Sequence, residues 1–262
     1  MTYDCFPFFN ELDILEIRLN TLDRYVDKFV LVEASKTQSL LDKPYFFEEN
    51  KARYSKFLNK IIHIKVSDHP DLPGWVMENH QRNCITRGLI DCKEEDTILI
   101  SDVDEIPNLN DIDMSKLKNT IVSFDMSYHT FYANLLTENK RWIGTVSLDY
   151  SALATRSPQT LRNKKDSIKN KVSEGGWHLG YMGGKEKVYK KFFSCIEPLD
   201  KSLIPEYEAF CLEFDRKIKD GGSFLFSDKE DDSISLVKCE TTYPNLPEYL
   251  VENKEKFSNL LY

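Results

Sequence analysis

Two carboxylates separated by one residue are the clearest chemical feature of this chain. Asp102 and Asp104 lie in the run Ser101-Asp102-Val103-Asp104-Glu105-Ile106-Pro107. On an extended segment, carboxylates at i and i+2 can approach one ion, directly or through water. Oxygen ligands suit hard cations such as Mg²⁺ or Mn²⁺, which also hold phosphate oxygens. Like charges crowded together repel, and a bound divalent cation relieves that repulsion. The plainer alternative is an acidic turn closed by Pro107. Position favours the ion. Residues 97–101 (TILIS) read as a short buried strand, and open α/β sheets bind ligands beyond the carboxyl ends of their strands.

A second cluster is Gly175-Gly176-Trp177-His178-Leu179-Gly180-Tyr181-Met182-Gly183-Gly184, which holds five of the ten glycines. Glycine permits close backbone approach to a ligand. His178 is a candidate nitrogen ligand for the same cation, or a donor to a phosphate. Lys185, Lys187, Lys190 and Lys191 follow and could neutralise a diphosphate. A glycine-rich surface loop with a structural histidine is the competing reading. The other histidines (63, 69, 80 and 129) show no metal-ligand spacing and read as structural. A third cluster, Glu78, His80, Gln81, Arg82 and Asn83, sits on a predicted helix just before the 97–101 strand. There Arg82 can grip a phosphate with two nitrogens.

The elements that must position these groups follow from local patterning. Residues 2–6 read as a first strand broken by Pro7, with Asn10 as an N-cap and Asp13 in the first helical turn. Leu12, Leu15, Leu19, Leu22 and Val26 recur at helical spacing. Residues 28–33 and 61–66 read as buried strands, with a short helical piece near 50–58 and a helix over about 76–89. Strand and helix therefore alternate through residue 101, the pattern of a parallel sheet covered on both faces. Residues 121–136 predict one or two antiparallel strands, continued by 141–147. Residues 156–176 are basic and polar and predict a flexible segment. Helices are expected over 206–219, ended by Gly221-Gly222, and over 246–260 after Pro247.

The composition agrees with such a fold. The chain has 262 residues, 41% hydrophobic and 12% aromatic, enough for a sizeable core. Its net charge of −8 argues against nucleic acid as the main partner. No apolar run approaches the length of a membrane span. Six scattered cysteines with no CxxC pair fit reduced thiols.

Taken in order, these stretches resemble glycosyltransferase family 17, the family of the bisecting N-acetylglucosaminyltransferases. Phe6-Pro7-Phe8-Phe9-Asn10-Glu11-Leu12-Asp13-Ile14-Leu15-Glu16-Ile17-Arg18-Leu19 is the most specific of them. It is joined by Val32-Glu33-Ala34-Ser35, Gln81-Arg82-Asn83, the Asp102/Asp104 run and Gly176-Trp177-His178 through Gly183-Gly184. The resemblance covers about residues 3–225. It implies a single GT-A domain over 1–262, with a Rossmann-like, mostly parallel sheet flanked by helices and a smaller antiparallel acceptor-side part. Residues 1–110 would hold the nucleotide-sugar and 111–262 the glycan acceptor.

It also implies a UDP-sugar donor, UDP-GlcNAc first, and metal-dependent transfer with inversion. Asp102, Asp104 and His178 would then bind Mn²⁺ or Mg²⁺, and Glu33 would face the nucleoside. Arg82 and Asn83 would face the donor sugar or its phosphates, and Lys187 and Lys191 are matching basic positions. Cys195 stands two positions before Glu197 where family members often carry His. The membrane anchor and stem of the eukaryotic relatives have no counterpart. With no signal peptide visible, that predicts a cytoplasmic enzyme of microbial or viral origin.

Inverting transfer needs a carboxylate base. Glu174 and Asp149 are the first candidates and Glu197 the third. Two other functions compete: a metal-dependent phosphohydrolase with Asp102 as nucleophile and Asp104 as acid, and an inactive glycan-binding module.

Overall fold

The computed structural model describes residues 1–110, 112–194, 202, 204–221 and 235–262. The order opens β1 (Thr2–Phe8), α1 (Leu12–Leu22), β2 (Lys28–Ala34), α2 (Phe46–Glu49), β3 (Ile61–Val66), α3 (Trp75–Asn83) and β4 (Thr97–Ile100). All pairings in this set are parallel, in the order β3-β2-β1-β4. The expected strand–helix alternation is therefore present. Its cause is visible in β2, where Phe29 through Ala34 are completely buried. On one face Leu15, Leu19 and Leu22 of α1 pack with Phe6, Phe8, Phe29 and Leu31. On the other, Met77, Cys84, Ile85 and Leu89 pack with Val30 and Val32.

The chain continues through β5 (Glu105–Pro107), β6 (Val122–Thr130), β7 (Leu135–Asp149), α4 (Pro158–Lys164), β8 (Asn170–Val172), β9 (Gly176–Gly180) and α5 (Gly184–Ser194). It then forms α6 (Tyr207–Lys219), β10 (Leu236–Lys238) and α7 (Glu248–Glu252). β7 joins β4 antiparallel, and the sheet runs on as β7-β6-β9-β5. It is thus mixed, with β9 parallel to β6 and β5 antiparallel to β9. β4 and β5 are four strands apart in this order, yet Glu105 N bonds Asp102 O at 3.0 Å in the short turn joining them. Thr145 Oγ1 of β7 also donates to Glu105 O at 3.1 Å. The sheet must curl for both to hold. The turn bearing Asp102 and Asp104 sits where the curl closes.

Several local expectations change. Pro7 continues β1 instead of breaking it. β4 pairs only with residues 2–5, so the missing proline N–H is not needed there. Glu11, not Asn10, occupies the cap position of α1. Residues 156–176 carry α4 and β8 where a flexible segment is expected, because their cations face buried carboxylates described below. The glycine-rich run is the buried strand β9 followed by α5. Gly176, at φ +137°, is required there, since a Cβ would lie 2.1 Å from Ile106 O. The predicted terminal helix shrinks to α7 and a short 3₁₀ turn, Ser258–Leu260. The five described cysteines are free thiols. Among the described residues no helix is long and apolar enough to cross a membrane.

Candidate active site

The turn after β4 is held from beneath by Arg18, a fully buried side chain of α1. Its Nη1 donates to the carbonyls of Asp102 (3.1 Å), Val103 (3.2 Å) and Glu105 (2.8 Å). Its Nη2 reaches Ser101 Oγ at 2.6 Å, and Nε and Nη2 form a two-pronged pair with Asp4 of β1. A buried guanidinium needs a carboxylate and full hydrogen bonding to offset its desolvation. Both are supplied, so the backbone of the turn is clamped to the sheet.

Above this clamp, Asp102 accepts from Arg82 Nη2 at 2.5 Å and from Arg162 Nη2 at 2.7 Å. Burial alone would raise its pKa. The two arginines outweigh burial and hold the carboxyl far below its usual range. Glu105, fully buried, is the second anchor. It accepts from Trp142 Nε1, Arg162 Nη1 and Lys165 Nζ, and from the backbone of Asp102.

Asp104 is different. Its Oδ1 lies 3.9 Å from His178 Nε2 and its Oδ2 3.9 Å from Lys191 Nζ, beyond hydrogen-bond range. Burial raises its pKa to about 7, with Asp102, Glu105 and Glu11 adding like charge against the pull of Lys191. His178 is paired with Glu105 across β5 and β9. Its ring stacks on both Tyr128 (centroids 4.8 Å apart) and Trp142 (4.3 Å), which lie 5.5 Å from each other. Burial lowers its pKa to about 3, so the imidazole is neutral near pH 7.

A cleft of about 660 Å³ opens over these groups, with Asp102, Asp104, Arg82, Arg162 and His178 in its wall. A smaller recess of about 80 Å³ adjoins it. Glu11, Asp104 and Lys191 line both.

The model of glycosyltransferase family 17 matches residues 1–189 of this chain. The chain belongs to glycosyltransferase family 17. Membership places it among the glycosyltransferases. It is similar to the human beta-1,4-mannosyl-glycoprotein 4-beta-N-acetylglucosaminyltransferase, with 26% identity over 107 residues. That match covers 37% of this chain and 20% of the relative. The rat protein of the same name matches to the same extent, and the mouse protein is 25% identical. The chain thus spans about a fifth of the length of these curated relatives.

In this family 17 chain, the expected site residues divide into two groups. Asp102, Asp104, His178, Arg82 and Lys191 meet in the cleft wall. Lys187 lines the adjoining recess, 3.3 Å from Asp13. The others lie elsewhere. Glu33 is fully buried behind Lys43 of the cleft wall, 3.6 Å from its Nζ, and accepts from Phe47 N and His63 Nε2. Asn83 accepts from Gln159 N and so ties α3 to the start of α4. Asp149 is opposite Thr97 at the start of β4, the end remote from the Asp102 turn, and accepts from Asn119 N. Glu174 is 82% exposed on its side chain and paired with Arg141, just before the end of β9 that faces Pro107. Neither of these two carboxylates reaches the cleft. Glu197 lies outside the described residues.

Among the described residues no group of three or more His, Cys, Asp or Glu side chains is gathered as a metal site. Asp104 and His178 do fit a cation as a pair, a carboxylate under like-charge repulsion beside a neutral imidazole. Asp102, the third expected ligand, already accepts one arginine hydrogen bond on each oxygen. The same ion pairing lowers the nucleophilicity of the carboxylate, against the phosphohydrolase reading. Arg18, Glu105, Trp142, Arg162 and Lys165 complete the site without having been singled out as site residues from the sequence. A signal existed only for Arg18, the one basic residue of α1, set between Ile17 and Leu19.

Proposed function

We propose that the chain transfers N-acetylglucosamine from UDP-GlcNAc to a hydroxyl of a glycan acceptor, with inversion at the anomeric carbon. The observation that carries this reading is the adjacency of Asp104 and His178 in the cleft, in a chain of this family. The names of the similar mammalian proteins support N-acetylglucosamine as the sugar and a mannosyl glycoprotein as the acceptor class.

Asp104 and His178 would hold Mn²⁺ or Mg²⁺, which neutralises charge on a departing diphosphate. Arg82 and Arg162 fix Asp102 and place positive charge beside the same diphosphate. Lys191 extends that charge toward the recess. Glu11 is the base we assign in place of Glu174 and Asp149. It stands where cleft and recess meet, its Oε2 turned back to Phe9 N and Asn10 N, with Oε1 3.5 Å from Lys191 Nζ. From there it would take the acceptor hydroxyl proton as the oxygen attacks the anomeric carbon and the diphosphate leaves with the bonding pair. In this reading the fold is of GT-A type. Residues 1–110 mainly serve the nucleotide, and residues 111–262 mainly serve the acceptor.

A donor screen by nucleotide release tests the proposal. The purified protein is offered UDP-, GDP- and CMP-sugars with mannose-terminated glycans, with and without Mn²⁺. Release of UDP from UDP-GlcNAc, dependent on glycan and metal, is expected. Turnover of a chromogenic phosphate ester, or glycan binding with no nucleotide affinity, would replace it with one of the competing readings.

A further inference from the structure

Trp75 begins α3 and lines the cleft, yet the residue is 54% exposed. The other two tryptophans are committed. Trp177 is buried and donates to Pro244 O, and Trp142 is stacked on His178 with Lys165 Nζ 4.3 Å from its ring centre. Among the described residues no ring stacks on Trp75. Leu72 and Val76 beside it are exposed as well, so what sets Trp75 apart is its place in the cleft wall.

Its mounting is specific. Gly74, at φ +76°, turns the chain into the helix, and its N–H donates to Gln38 O at 2.8 Å. Gln38 Nε2 in turn donates to Glu78 Oε2 at 3.0 Å. At the far end of the helix, Arg82 grips Asp102. Seven residues separate Trp75 from Arg82, about 10 Å along a helix axis. That span is comparable to the reach of a nucleotide from its base through its ribose to the phosphates. Gln38 and Glu78 line the wall between them with groups able to bond ribose hydroxyls.

We propose that Trp75 is the platform on which the nucleobase of the donor stacks, with α3 setting the distance from base to diphosphate. This rests on the nucleotide-sugar reading above. The ring is exposed in the cleft wall and does not line the adjoining recess.

UDP and inorganic pyrophosphate are titrated by calorimetry, each with Mn²⁺, into wild type, Trp75→Ala and Trp75→Phe. Base stacking on an aromatic ring predicts loss of about tenfold or more in UDP affinity for Trp75→Ala. Trp75→Phe should stay within about threefold of wild type, and pyrophosphate affinity should be equal in all three. UDP binding to Trp75→Ala at wild-type strength overturns the platform alone. Equal loss of UDP and pyrophosphate also overturns it, because the effect is then on the phosphate end. No UDP binding by wild type overturns the nucleotide-sugar reading itself. Unchanged urea midpoints will show that the variants fold.

Discussion

Arg18 Nη1 donates to the backbone carbonyl of Asp102 at 3.1 Å, across a separation of 84 residues. The same guanidinium is paired with Asp4, so the first strand, the first helix and the acidic turn form one buried polar unit. The acidic turn therefore owes its shape to a residue far away in the chain.

Removing Arg18 should be costly because Asp4 would remain buried and unpaired. Arg18→Met is expected to lose about 3–5 kcal/mol of stability by urea denaturation. Replacing both partners, as Asp4→Leu with Arg18→Met, should recover part of that loss. A single variant within about 1 kcal/mol of wild type would show that the pair is not a structural anchor.

Asp104 should be the residue on which metal-assisted donor binding depends. With Mn²⁺ present, Asp104→Ala is expected to weaken UDP-GlcNAc binding by more than about 100-fold, read by calorimetry. The same affinity in wild type and variant, or no response to Mn²⁺ in wild type, would remove the cation from the mechanism.

Glu11→Gln keeps an oxygen to accept from Phe9 N and Asn10 N but cannot take a proton. Its kcat should fall by roughly 10²–10⁴-fold with UDP-GlcNAc affinity preserved. Glu174→Gln and Asp149→Asn should stay near wild type, since neither side chain reaches the cleft. Full activity in Glu11→Gln would send the search for the base elsewhere.

His129 is a stability prediction away from the cleft. Burial lowers its pKa to about 4, and its Nε2 lies 2.8 Å from Ser127 Oγ. Its unfolded value is about 6.5, so between pH 6.5 and 4 the unfolded state binds more protons than the folded state. Its contribution is complete above pH 6.5 and is lost as pH falls toward 4. The slope approaches about 1.4 kcal/mol per pH unit. His129→Gln should flatten the urea-midpoint profile over that window. A profile parallel to wild type would contradict the assignment.

Much of the first half was legible because its signals are local. Residues 61–66 and 28–33 are short runs dominated by β-branched and apolar residues, and the structure places strands there. The spacing of Leu12, Leu15 and Leu19 likewise marks α1. The polar segment 156–176 was not legible. Arg162 and Lys165 look like solvated cations until Asp102 and Glu105 are brought against them. The glycine run reads as a loop by composition, whereas Gly176 is needed for β9 to approach β5.

By itself, then, the sequence determined the strand–helix alternation, the acidic pair after a buried strand and membership of family 17. These depend on periodicity and on motifs contained within short stretches. The tertiary structure alone decided which carboxylates are available. It set Asp102 between two arginines, left Asp104 beside His178, and carried Asp149 and Glu174 out of reach. The physical reason is that a charge's role depends on its burial and partners. Those partners come from strands and helices that only the curled sheet brings together.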